Sequence, residues 1–183
     1  MSTRPGTATA LLVIDVQEAV VADAWDRDRI VCNVALAVER ARAAGVPVFW
    51  IQHEDDELVN GSAGWQWVEE LRPREGEARV HKRFNSAFED TPLLAALDAA
   101  GVSRVVIAGA ATNWCIRASA YGALERGFDL TLVSDAHTTG DMESAPGQLV
   151  SARTVVDDLN AAMRWLSYPG RRNEAVPAAD LAF

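Results

Sequence analysis

A chain of 183 residues, 49% of them hydrophobic, fits one domain spanning 1–183 with a core that needs no staples. Lys and Arg number 17 against 26 Asp and Glu, and the formal charge of −9 repels phosphate backbones and anionic lipid, which excludes nucleic acid and membrane surfaces as expected partners. Two cysteines, with neither a signal segment nor a long apolar stretch, predict a reduced, cytoplasmic protein without a disulfide framework.

Residues 11–14 are a short branched apolar run ending at Asp15, which reads as a buried parallel strand with a carboxylate at its C-terminal tip. Helical periodicity follows over 28–44, with Ile30, Val34, Ala37, Val38 and Ala41 on one face and Gly45 as the stop. Cys32 lies inside that pattern with no turn or charge arranged around it and is assigned to the core. Residues 46–51 form a second strand. The stretch 52–77 carries acids, Asn60-Gly61-Ser62, Gly64, Pro73 and Gly76, so it predicts a long loop with only a short helix over 65–71. Trp65, Trp67 and Trp114 fall near turns rather than inside apolar runs, which makes them candidates to line a pocket.

A short strand over 79–82 precedes a helix over 91–100, with Thr91 as cap and Pro92 at its first position. Residues 104–109 are the next strand, 113–126 a helix carrying Cys115, and 129–134 a strand ending at Asp135. A long helix over 147–166 and an edge strand over 174–176 complete the chain. Alternation of strand and helix predicts an α/β fold of three α/β/α layers around a central, mainly parallel six-stranded sheet with right-handed crossovers.

In such sheets ligands bind outside the carboxyl ends of the strands, and Asp15, Lys82 and Cys115 each fall at or just past one. A thiol at a helix start meets unpaired N–H groups and the positive end of the dipole, which favour thiolate. Asp15 supplies a base for it, and Lys82 a charge that holds thiolate and carboxylate in place.

Four blocks in order then resemble the isochorismatase-like cysteine hydrolases, which include nicotinamidases, N-carbamoylsarcosine amidases and streptothricin hydrolase. They are 10–17 (ALLVIDVQ), 81–88 (HKRFNSAF), 109–115 (GAATNWC) and 132–139 (LVSDAHTT). The resemblance implies that Asp15, Lys82 and Cys115 form a catalytic triad. It also implies a cis peptide joining Ala110 to Ala111, with the amides of Ala111 and Cys115 as oxyanion hole and homo-oligomers of two or more chains. Asp15 would take the thiol proton and later return it to the leaving amine, while water hydrolyses a thioester on Cys115.

Nicotinamidases bind a metal through one Asp and two His; here the matching loop offers His53 and Asp55, but the third position falls near Val68, so no metal and no cofactor is expected. Gln17, His53, Trp65, Phe84, Phe88, Trp114 and Tyr121 are the candidates to bind a small-molecule substrate, and the Trp65 and Trp67 loop could close over it or reach a neighbouring subunit. Retention of the cysteine favours C–N hydrolysis of a small amide, lactam or carbamoyl compound. The alternatives are hydrolysis of a vinyl ether, which family members achieve without a cysteine, a non-catalytic binding protein, and a redox thiol, for which Cys115 lacks a resolving partner nearby.

Overall fold

The computed structural model describes residues 3–183. In chain order its elements are β1 (Ala8–Ile14), α1 (Glu18–Val21), α2 (Arg27–Ala43), β2 (Val48–His53), β3 (Ala78–Lys82), α3 (Leu93–Ala99) and β4 (Val102–Ala110). A single π-helical turn (Thr112–Ile116) then leads into α4 (Arg117–Glu125), β5 (Asp129–Thr138), β6 (Met142–Ala145), β7 (Gln148–Val150), α5 (Ala152–Trp165) and β8 (Asn173–Val176). Six strands form one parallel sheet in the order β3-β2-β1-β4-β5-β8, as the alternation predicts. From β1 the chain winds outward through β2 to β3, then crosses back to β4 on the other side. The crevice between the tips of β1 and β4 is therefore the switch point at which this architecture binds ligands.

The sheet is buried on both faces because its strands alternate between two cores. Ala10, Leu12 and Ile14 of β1 join Leu97 of α3, Ala120 and Leu124 of α4 and Leu159 and Met163 of α5 on one side. Leu11 and Val13 face Val31, Val34, Ala37 and Val38 of α2 on the other. Burying each such Leu, Ile or Val is worth about 1.5–3 kcal/mol, which is what fixes the register.

Several local expectations are corrected. Cys32 is exposed, since Val31 and Val34 take the inward face of α2 and Cys32, next to Val31, turns to solvent. Residues 65–71 form no helix. Their backbone instead pairs with the chain leaving β1: Glu18 N–H donates to the Gln66 carbonyl, Ala19 N–H to that of Gly64 and Val68 N–H to that of Val16. The long C-terminal helix starts at Ala152, capped by Ser151, because Gly147 at φ +75 turns the preceding residues into the β6–β7 hairpin. Among the described residues no helix is long and apolar enough to cross a membrane.

Candidate active site

Three strand ends bring the chemistry together. Asp15 follows β1 with a left-handed backbone (φ +52) and is 1% exposed; Lys82 closes β3, paired with His53 of β2; Cys115 lies in the π-helical turn after β4. Gly109 allows the tips of β1 and β4 to meet: at φ +128 its missing Cβ would fall on the Ile14 carbonyl. The Ala110–Ala111 peptide is cis, as expected.

The Lys82 ammonium is the hub. Its Nζ lies 2.7 Å from Asp15 Oδ2 and donates to Cys115 Sγ at 3.1 Å and to the Phe84 carbonyl at 3.2 Å, with His53 Nδ1 at 3.3 Å. Asp15, Lys82 and Cys115 are all buried, so their charges interact at low effective dielectric. On the outer side of the sulfur, Cys115 Sγ faces Asn85 Oδ1 at 3.9 Å. Asn85 was not singled out in the sequence; it sits three residues after Lys82, inside a matching block, and that placement is the signal that could have found it.

Proton affinities follow from burial first. Desolvation raises the pKa of Asp15, with the nearby Lys82 pulling the other way. For Lys82 burial alone would lower it, but Asp15, then Cys115, raise it, so the group stays an ammonium. The Cys115 thiol is pushed up to about 12 by burial and by the neighbouring Asp15 carboxylate, against the pull of Lys82. This corrects the helix-start argument, which favoured thiolate. At rest Cys115 is therefore a thiol.

The expected lining residues divide. Phe84 and Trp114, 53% and 55% exposed, stand open to solvent, next in chain to Asn85 and Cys115. Tyr121 is half-buried against the core. Phe88 is spent on packing, stacked on Phe128 with Arg126 over its ring. Gln17 is buried, its amide accepting from His53 N–H and donating to the carbonyls of His53 and Trp65. Trp65 meets His81 edge-on at 5.4 Å, and His81 alternates with Lys82 along β3, so the indole sits on the far side of that strand from the ammonium.

The residues present do not fit a nicotinamidase-type metal. His53 and Asp55 are spent on each other, Nε2 to Oδ2 at 3.0 Å, and Val68 is fully buried in the core. A second grouping of ligand atoms, from Asp15, His53 and Cys115, lies within 4.8 Å, but the Lys82 ammonium already touches all three and supplies the cation there.

A second network also escaped the sequence. His137, fully buried, links the Thr112 hydroxyl (2.9 Å) to Asn160 Oδ1 (3.1 Å), and Asn160 donates to the Ser134 carbonyl, tying the π-helical turn that carries Cys115 to β5 and α5.

Comparison with known proteins places these features. The isochorismatase domain family matches residues 9–160. Streptothricin hydrolase from Streptomyces noursei is 37% identical over 145 residues, 75% of this chain but 57% of that protein, so the chain spans little more than half of its length. Ureidoacrylate amidohydrolase RutB from Methylobacterium radiotolerans is 29% identical over 95% of this chain and 84% of its own. A crystal structure of an isochorismatase from Pseudomonas putida KT2440 superposes with a TM-score of 0.85, covering 97% of this chain and 93% of that one; at 24% identity it speaks for the fold.

Proposed function

Because the chain belongs to the isochorismatase family, we propose that it is a metal-independent cysteine amidohydrolase that cleaves the C–N bond of a small amide, lactam or carbamoyl compound. One observation carries the reading: a buried ammonium 2.7 Å from a buried carboxylate and 3.1 Å from a buried thiol, at the switch point of the sheet. The amidohydrolases among its relatives support the choice of bond.

Asp15 takes the proton of Cys115 as Sγ attacks the carbonyl carbon. Charge developing on the carbonyl oxygen is met by the amides of Ala111 and Cys115, each such donor being worth about 10² to 10³ in rate. Asp15, protonated, gives its proton to the leaving nitrogen, and the C–N bond breaks to leave a thioester. Water then attacks that thioester, passing a proton to Asp15; the sulfur departs and recovers the proton, and the acid product is released. Lys82 remains an ammonium throughout and offsets whichever of its two neighbours carries charge, so neither buried anion stands alone. General base catalysis by Asp15 accounts for about 10² to 10⁴ of the acceleration.

Phe84 and Trp114 present exposed apolar, planar surface next in chain to Asn85 and Cys115, and Asn85, 3.9 Å from the sulfur, presents both a donor and an acceptor, a set suited to a small amide. Residues 1–183 act as one catalytic domain of a cytoplasmic homo-oligomer. A panel of primary amides, lactams and carbamoyl compounds tests the proposal, read by ammonia release for the amides and carbamoyl compounds, by ring opening for the lactams, and by mass spectrometry of the thioester on Cys115. Turnover of a vinyl ether that survives Cys115→Ala, with no amide accepted, would refute it.

A further inference from the structure

Four acceptors surround the Lys82 ammonium, which has three N–H bonds to give. The reaction proposed above uses two of them, Asp15 and Cys115. The others, the Phe84 carbonyl and His53 Nδ1, take no part in it.

His53 is held at every polar atom. Its backbone N–H donates to Gln17 Oε1 at 2.9 Å, its carbonyl accepts from Gln17 Nε2 at 3.0 Å, and its ring Nε2 lies 3.0 Å from Asp55 Oδ2. Asp55 is fixed in turn by the N–H groups of Leu58 and Glu57, at 2.7 and 2.9 Å. The Leu58 N–H, the His53 ring and the Glu57 N–H together hold its carboxyl down at about 2, so it is an acceptor only. The network assigns the tautomer: Nε2 carries the ring proton toward Asp55, and Nδ1 turns its lone pair to Lys82. With both nitrogens engaged, the ring has none left for a substrate.

We propose that His53 is a positioning residue that acts through Lys82, with Asp55 and His53 anchoring the ammonium at the one point from which it serves carboxylate and thiol together. The inference deepens the cysteine-hydrolase reading and rests on it. A lysine ammonium on a four-carbon stem is a mobile point charge. Without the anchor it swings toward its strongest partner, Asp15, and the sulfur loses the N–H that stabilises its anionic form. The logic parallels the carboxylate that orients a metal-binding imidazole, whose loss typically costs about 10- to 100-fold.

The test separates positioning from substrate contact and from folding. His53→Leu replaces the ring by an apolar side chain of similar reach. His53→Asn keeps an acceptor where Nδ1 stands and loses only the contact to Asp55. Alkylation of Cys115 by iodoacetamide needs no substrate, so it reports on the thiol even if the amide reading fails; kcat and KM on an accepted amide report on turnover. His53→Leu is expected to slow alkylation and lower kcat by about 10- to 100-fold with KM unchanged, and His53→Asn, which keeps the acceptor but not the Asp55 contact, to recover part of both. Wild-type alkylation in His53→Leu, a rise in KM alone, or an Asn variant no better than Leu would each overturn the proposal. Circular dichroism checks the fold; if His53→Leu does not fold, Asp55→Ala, at a partly exposed site, takes its place. That variant frees the ring, and unchanged alkylation in it would also overturn the proposal.

Discussion

Acid should loosen this protein through one imidazole. His137 is fully buried, and burial holds its pKa at about 4 against an ordinary 6.5, outweighing the favourable pull of Asn160 and Asp135. The folded value is the lower of the two, so above about pH 6.5 neither state binds the proton and the group adds no pH dependence. Between there and about pH 4 the unfolded chain takes up a proton that the folded chain refuses, and stability falls as pH falls. At about 1.4 kcal/mol per tenfold change in proton affinity, the gap amounts to about 3 kcal/mol by pH 4. That is a large share of the ~5–15 kcal/mol that holds a typical domain. His137→Gln keeps an amide donor and acceptor for Thr112 and Asn160 and cannot titrate. Urea unfolding of both proteins at steps from about pH 7 to pH 4 should show the wild type losing about 3 kcal/mol more than the variant. Asp55 and Glu77, both near 2, titrate mostly below this window and are common to both proteins. Parallel stability curves would refute the reasoning, because they would mean that the ring is already charged, or already wet, in the folded state.

Cys115→Ala is expected to fold with an unchanged melting temperature and to release no ammonia from any accepted amide, as loss of a nucleophile removes nearly all activity. Lys82→Met strands the Asp15 carboxylate in the core and should cost about 3–5 kcal/mol in urea unfolding at neutral pH; adding Asp15→Leu should restore most of that loss without restoring activity. Gly109→Ala drives a Cβ into the Ile14 carbonyl at a backbone angle of φ +128, so little soluble protein is expected from expression, whereas Gly76→Ala, whose Cβ meets nothing within 4 Å, should express at a reduced melting temperature only. Elemental analysis of the purified protein should find zinc and iron far below one per chain, and stoichiometric metal would overturn the assignment of His53 and Asp55 to each other.

The carboxylate, the ammonium and the thiol were legible because each falls at or just past the end of a strand that the sequence predicts, and a parallel sheet gathers such ends on one rim. What joins them was not. The Phe84 carbonyl is main chain and leaves no mark on composition. His137, Thr112 and Asn160 meet across β5, the π-helical turn and α5, and a buried hydrogen-bonded pair reads in sequence like any polar residue in a loop or helix. The state of the thiol escaped for the same reason: the sequence offers a helix start, while the outcome is decided by burial and by a carboxylate distant in the chain. Cys32 shows how fine the margin is, because adjacent helical residues point about 100° apart and its neighbour Val31 takes the inward place.

The loop carrying Trp65 and Trp67 is hydrogen-bonded along its length to residues 16–19, and Gly64 sits so close to Ala19 that a side chain there would collide with it. For anyone reshaping substrate range by directed evolution, this loop is a poor place to diversify. Changes there would unzip a structural seam that also positions Gln17, and through it His53. Libraries belong at Phe84, Asn85 and Trp114, exposed residues of which Asn85 lies 3.9 Å from the sulfur and the other two are next in chain to Asn85 and Cys115. A screen confined to those three positions should retain soluble protein across most of its members.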